Sequence, residues 1–136
     1  MTVDQNRVIA HEFLGAIGSN ADPKSFAAMF TEDVVFEVPG DLGALPWIGR
    51  KTGRAAVEHF VANAGDLLVR ERFDVLDILA SDTRAAVLGE LASRVVATGR
   101  LIEMSFAIIL TVSEGKISRF LMLEDSFAVS NAARRN

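Results

Sequence analysis

Val8, Ile9, Phe13, Ala16 and Ile17 recur at spacings of three and four between Asp4 and Gly18, which predicts an amphipathic helix. Gly18-Ser19-Asn20 ends it, since Gly and Asn suit a left-handed cap. Asp22 caps a second helix, with Pro23 at its first position and Phe26, Met29 and Phe30 on its buried side. Thr31-Glu32-Asp33 reads as a turn. The period then falls to two from Val34 to Val38, a strand stopped by Pro39-Gly40. Residues 39–53 read as a loop with four glycines, two of the three prolines and the lone Trp47. Gly53-Arg54 opens a third helix that runs to about Ala64 and buries Val57, Phe60 and Val61.

The rest reads as strands: Arg72 to Leu79, Arg84 to Ala97, Leu101 to Val112 and Lys116 to Leu123. Ser81-Asp82, Thr98-Gly99-Arg100 and Ser113-Glu114-Gly115 are the turns between them. Asp125 or Ser126 caps a short terminal helix, and Ala132 to Asn136 reads as a frayed end. Helices gathered at one end of an antiparallel meander predict an α+β fold. Several strands are apolar on both sides. Ile117, Leu121 and Leu123 share one side of the last strand and Phe120 and Met122 the other, while Phe106, Ile108 and Leu110 alternate with Ala107 and Ile109. Three short helices cover one face only, so the pattern predicts a homodimer packed through the outer sheet face.

Composition narrows the chemistry. The 136 residues make a single domain, 1–136, large enough to enclose a pocket. A net charge of −4 argues against nucleic acid. The absence of cysteine removes disulfides and thiolate nucleophiles, and two histidines, His11 and His59, make no metal centre, so no metal or cofactor is expected. There is no phosphate-cradling glycine motif. The start, MTVDQNRVIA, lacks a signal pattern, and no stretch is apolar enough to span a bilayer, so a cytoplasmic protein with no membrane partner is expected. Mean hydropathy of +0.28 fits a large core or a covered apolar face.

MFTEDVVFEVPG after two helices, then PWIGRKTGRAAVEHFV, then ATGRLIEMSFAIILTVSEGKISRFLMLEDSFAVSNAA follow a family order from about Val8 to Ala133. In these motifs the chain resembles SnoaL-like proteins of the nuclear transport factor 2 (NTF2) superfamily, which includes ketosteroid isomerase, limonene epoxide hydrolase and polyketide cyclases. The resemblance implies a conical α+β barrel, three helices on a curved, mainly antiparallel sheet, with an apolar pocket between them and usually a dimer. It implies no particular reaction, because this fold hosts enzymes and binding modules alike.

Neither relative's catalytic set is present. The resemblance puts the ketosteroid isomerase base at Val38, its tyrosine near Leu14 or Phe13, and its aspartate donor near Ala107; all are apolar, and the chain has no tyrosine. The epoxide hydrolase set falls near Leu91, Ser93 and Met122, which again lack the acids. A one-residue slip would bring Glu90, Arg94 or Arg119 inward. Glu124 shares the side of Phe120 and Met122 and is the candidate acid or base; a carboxyl beside Phe and Met has a raised pKa. Its plainer reading is a strand-end glutamate. Asp41, in the loop, is the second candidate, against an ordinary turn role. Glu90 reads as an interface salt-bridge member or a pocket residue, Asp77 as a solvated strand position, and Asp125 as a helix cap. The histidines read as boundary residues, and Arg50 and Arg54 as surface or helix-start residues.

The expected pocket is lined by Leu14, Ile17, Phe30, Phe36, Val38, Trp47, Phe60, Leu91, Ala107, Phe120 and Met122, with Ser93 and Glu124 as its polar points. Such a pocket suits a small apolar molecule. Three functions compete: a SnoaL-like isomerase, cyclase or hydratase working with one carboxylate, a non-catalytic binding protein, and a dimeric assembly module.

Overall fold

The fold is that of a computed structural model, which describes residues 2–134. Helix α1 spans Val3–Gly18, α2 Pro23–Ala27, α3 Arg54–Leu67 and α4 Ser126–Ala133. The strands are β1 Phe30–Val38, β2 Gly49–Thr52, β3 Leu68–Ala80, β4 Arg84–Val95, β5 Leu101–Ser113 and β6 Lys116–Leu123. They form one six-stranded sheet in the order β2-β1-β6-β5-β4-β3. Within this sheet the β1–β6 pair is parallel and the β1–β2, β3–β4, β4–β5 and β5–β6 pairs are antiparallel.

Local chemistry sets the helix starts. Thr2 and Gln5 form a reciprocal capping box on α1. Asp22 accepts from the Ser25 N–H at 3.0 Å and Asp125 from the Ala128 N–H at 3.0 Å, so Asp125 rather than Ser126 caps α4. Arg54 donates its Nε–H to the Phe30 carbonyl at 2.9 Å, pinning the start of α3 to β1. Buried Asn6 donates to the Ser81 carbonyl at 2.9 Å, pinning α1 to the β3–β4 turn.

Three expectations about the elements are overturned. The turn at Thr31-Glu32-Asp33 is part of β1, which begins at Phe30 opposite Ile117. The exposed Glu32 and Asp33 side by side break the alternation and mask the strand. The loop of residues 39–53 contains β2, whose four half-buried or exposed residues carry no alternation. The frayed end is tied down: Ala132 is buried and its carbonyl accepts from Thr98 Oγ1 at 2.7 Å, while Arg100 donates to the carbonyls of Asn131 and Arg134, each at 2.9 Å. Residues 135–136 of that expected end lie outside the described residues.

Bulges break the period of two. Thr111 pairs with Arg119 but Val112 with Ile117, so Ser118 is an extra residue in β6, and its hydroxyl donates to the Thr111 carbonyl at 3.2 Å. Ile117 therefore lies on the buried side with Phe120, not with Leu121 and Leu123 as strict alternation predicts. In β3, Glu71 and Leu76 are the extra residues opposite β4.

The inner side of the sheet carries the core. Phe36 stacks on Phe120 with centroids 4.6 Å apart, and Phe13 meets Phe26, Phe30 and Phe120 at 5.6, 6.5 and 6.0 Å. The outer side carries Ala86, Ile109 and Leu121 in one register row and Leu88, Ala107 and Leu123 in the next. Glu90 and Arg94 also lie on this outer side, which decides their face: Arg94 pairs with Glu71 at 2.7 Å and Glu90 with Arg72 at 3.5 Å.

Candidate functional site

A cavity of about 550 Å³ opens between the inner side of the sheet, the C-terminal ends of α1 and α3, the loop before β2, and α4. Its size is that of a small-molecule site. Each element presents an apolar residue because its period turns that residue inward: Ile17 from α1, Phe60 and Val61 from α3, Leu91 from β4, Ile102, Met104 and Ile108 from β5, Phe120 and Met122 from β6, Val129 from α4. Trp47 is 6% exposed and stands edge-on to Phe60 at 5.5 Å, which folds the loop over the cavity. The polar side chains of the wall are Asn20, Arg70, Ser93 and Glu124.

Glu124 follows directly on β6 and continues the inward side of Phe120 and Met122. It is half-buried, and no hydrogen bond to it is made among the described residues. Burial, reinforced by the neighbouring Asp125 charge, pushes its carboxyl up to about 7. The carboxyl can therefore hold or release a proton near neutrality.

Asp41 has a different environment. Arg134 grips it through Nε at 2.5 Å and Nη2 at 3.0 Å, and Ser130 Oγ donates to it at 2.6 Å. The Arg134 hydrogen bond first, and then that of Ser130, hold its carboxyl down at about 2. Asp41 is not in the cavity wall; its oxygens are used in tying the loop to α4. The structure thus places the second candidate, Asp41, outside the cavity and in contact with the end of α4.

Several expected pocket residues lie elsewhere. Phe30, Phe36 and Val38 belong to the closed core: they are fully buried in β1 and do not line the cavity. Leu14 lines a shallower groove of about 350 Å³ between α1 and β3, next to the cavity. Ala107 faces the outer side, and the neighbouring Ile108 lines the cavity in its place. Ile17, Trp47, Phe60, Leu91, Ser93, Phe120, Met122 and Glu124 lie in the cavity wall. His11, His59, Asp77 and Arg50 are exposed and outside it.

The wall also holds residues that sequence reasoning passed over. Met104 and Ile108 share the alternation of Ile102 and Phe106, a signal present in the chain. Arg70 carried none, because the bulge at Glu71 disrupts the alternation that would have extended the strand back to it. Its guanidinium lies 5.5 Å from the centre of the Phe73 ring, and Phe73 stacks on Phe106 at 5.0 Å. Gly89 leaves room for this stack: a Cβ there would clash with the Asp74 carbonyl oxygen and lie 2.7 Å from the Phe106 ring.

The sequence matches the family model of the SnoaL-like domain over residues 3–120. No curated protein matches it by sequence. Among solved structures, an NTF2-like protein from Burkholderia xenovorans is 25% identical, with a TM-score of 0.88 over 98% of this chain and 99% of that chain. A Bacillus subtilis protein provisionally named an isomerase is 19% identical, with a TM-score of 0.77 over 95% of this chain and 92% of that one. A Mesorhizobium loti protein provisionally named a SnoaL-like polyketide cyclase is 16% identical, with a TM-score of 0.72 over 90% and 99%. The shared architecture is the NTF2-like α+β fold.

Proposed function

The chain belongs to the SnoaL-like domain family, and on that premise we propose that it is a small-molecule enzyme of the isomerase, cyclase or hydratase kind, with Glu124 as its acid–base group and an apolar ring compound as its substrate. The observation that carries this reading is a half-buried carboxyl, free of hydrogen-bond partners among the described residues, in an apolar cavity of about 550 Å³. General acid–base catalysis is most efficient when the pKa lies near the working pH, and about 7 meets that condition. In an isomerisation, the carboxylate would take a proton beside a carbonyl and return it at the conjugate carbon, leaving the protein unchanged. Apolar walls would hold the ring and keep water from the intermediate.

The test is a turnover screen with cyclic enones, epoxides and polyketide-like rings, followed by Glu124→Gln on any substrate found. Loss of about 10²- to 10⁴-fold in kcat is expected, with a wild-type pH profile that inflects near 7. Full turnover in Glu124→Gln would remove Glu124 from the mechanism.

A second reading, a binding protein without turnover, is favoured by one observation. Among the described residues, the wall's other polar groups are Asn20, Arg70, Ser93 and the Trp47 indole N–H, and none hydrogen-bonds Glu124, so no paired acid and base is assembled there. This reading predicts that a ligand is retained through purification and released unchanged, which native mass spectrometry separates from turnover.

A further inference from the structure

Two open spaces meet at Arg70: it lines both the main cavity and the groove between α1 and β3. The other charged groups of that groove are engaged with opposite charges. Glu71 pairs with Arg94 at 2.7 Å, and Arg72 pairs with Asp74 at 3.2 Å and Glu90 at 3.5 Å. Arg70 has no carboxylate partner among the described residues. It is nevertheless oriented: its guanidinium lies over Phe73, Phe73 stacks on Phe106, and that stack depends on the missing Cβ of Gly89. Ser93, its register partner on β4, sits beside it on the inner side, its hydroxyl without a hydrogen-bond partner among the described residues. A planar cation with several N–H donors, stacked on an aromatic face and backed by a hydroxyl, is built to receive an oxyanion. Glu124 lies three strands away on the same inner side, so an apolar body would bridge the two.

We propose that Arg70 is a specificity-determining residue that selects ligands carrying one acidic oxygen, a carboxylate or phenolate, at the end of an apolar body whose other end reaches toward Glu124. The assignment rests on the reading of the cavity as a ligand site. It refines the substrate class from apolar rings to amphipathic monoanions.

The probes are 6-phenylhexanoic acid and 6-phenylhexan-1-ol, which share an apolar body and differ in charge. Isothermal titration of the intact protein at about pH 6 should show the acid binding more tightly than the alcohol. Arg70→Gln should weaken the acid about five- to thirtyfold, between the worth of an exposed ion pair and that of a shielded charged hydrogen bond. It should leave the alcohol unchanged, and Arg70→Lys should restore most of the preference. Equal binding of both probes to the wild type, or equal weakening of both by Arg70→Gln, overturns the role of Arg70 and leaves the cavity reading intact. Failure of both probes to bind overturns the cavity reading, and the role of Arg70 with it.

Discussion

Glu124 and Asp41 are both carboxylates, yet their surroundings drive them in opposite directions, and the signs give separate predictions. Glu124 has an ordinary value of 4.5 and is raised to about 7 by burial and then by Asp125. Its favourable contribution to folding is fully present below 4.5 and is lost as pH rises through about 7. The gap sets a ceiling of about 3 kcal/mol. Glu124→Gln should therefore stabilise the protein at pH 9, by up to that amount, and change little at pH 4.5; urea unfolding at the two pH values checks this. Asp41 falls from 3.8 to about 2 through Arg134 and Ser130. Its contribution is present above 3.8 and fades as pH falls through about 2. Asp41→Asn should lower Tm at pH 7, speed amide exchange in α4, and lose its effect toward pH 2. A selective loss of ligand binding with unchanged Tm would contradict the clamp.

At the scale of elements, the inner side depends on small devices that interrupt regular strands. Gly89 is one: adding a methyl group forces the Phe106 ring and the β3 backbone apart. Gly89→Ala should cost about 1–3 kcal/mol in urea unfolding, the range for overpacking. The same devices explain what was legible in the chain. Helix faces and caps were, because Ile9, Phe13, Asp22 and Asp125 act within a turn or two of sequence. Leu91 and Ser93 were placed by a relative's register, and the alternation of β4 puts both on the inner side. Strand faces were not legible at Ile117, where Ser118 adds a residue, and at Arg70, hidden behind Glu71. Alternation also gives a side but no depth along it. Phe36 and Phe120 stack on each other, yet only Phe120 borders the cavity, because that depends on where α1, α3 and α4 stop. Ala107 failed for another reason: its place was carried from a relative's register, one residue away from Ile108.

At the scale of the whole molecule, one sheet face carries no helix among the described residues. Leu88, Ala107 and Leu123 lie beside Ala86, Ile109 and Leu121 there, and Leu123 is 43% exposed. The Arg119–Glu37 pair, at 3.0 Å, lies on one flank and the Arg72–Glu90 pair on the other. An apolar centre with a polar rim is the anatomy of a self-complementary interface. Light scattering after size exclusion should give twice the chain mass of 14.7 kDa, and Ile109→Glu should give the single mass, because it places a charge at the centre of the patch. A wild-type protein that stays at the single mass at high concentration would exclude this face as a dimer contact. Opposing effects of Glu124→Gln and Ile109→Glu would also separate cavity from interface, since one residue faces inward and the other outward.

The position of Trp47 makes the protein its own indicator. The chain contains one tryptophan and no tyrosine, so ultraviolet emission on selective excitation comes from a single indole, held in the cavity wall beside Phe60. Its colour reports how wet that wall is. A ligand that expels water should shift the emission to the blue, and flooding of the cavity should shift it to the red before the rest of the fold gives way. Occupancy can thus be followed in the unlabelled protein, with no substrate yet in hand.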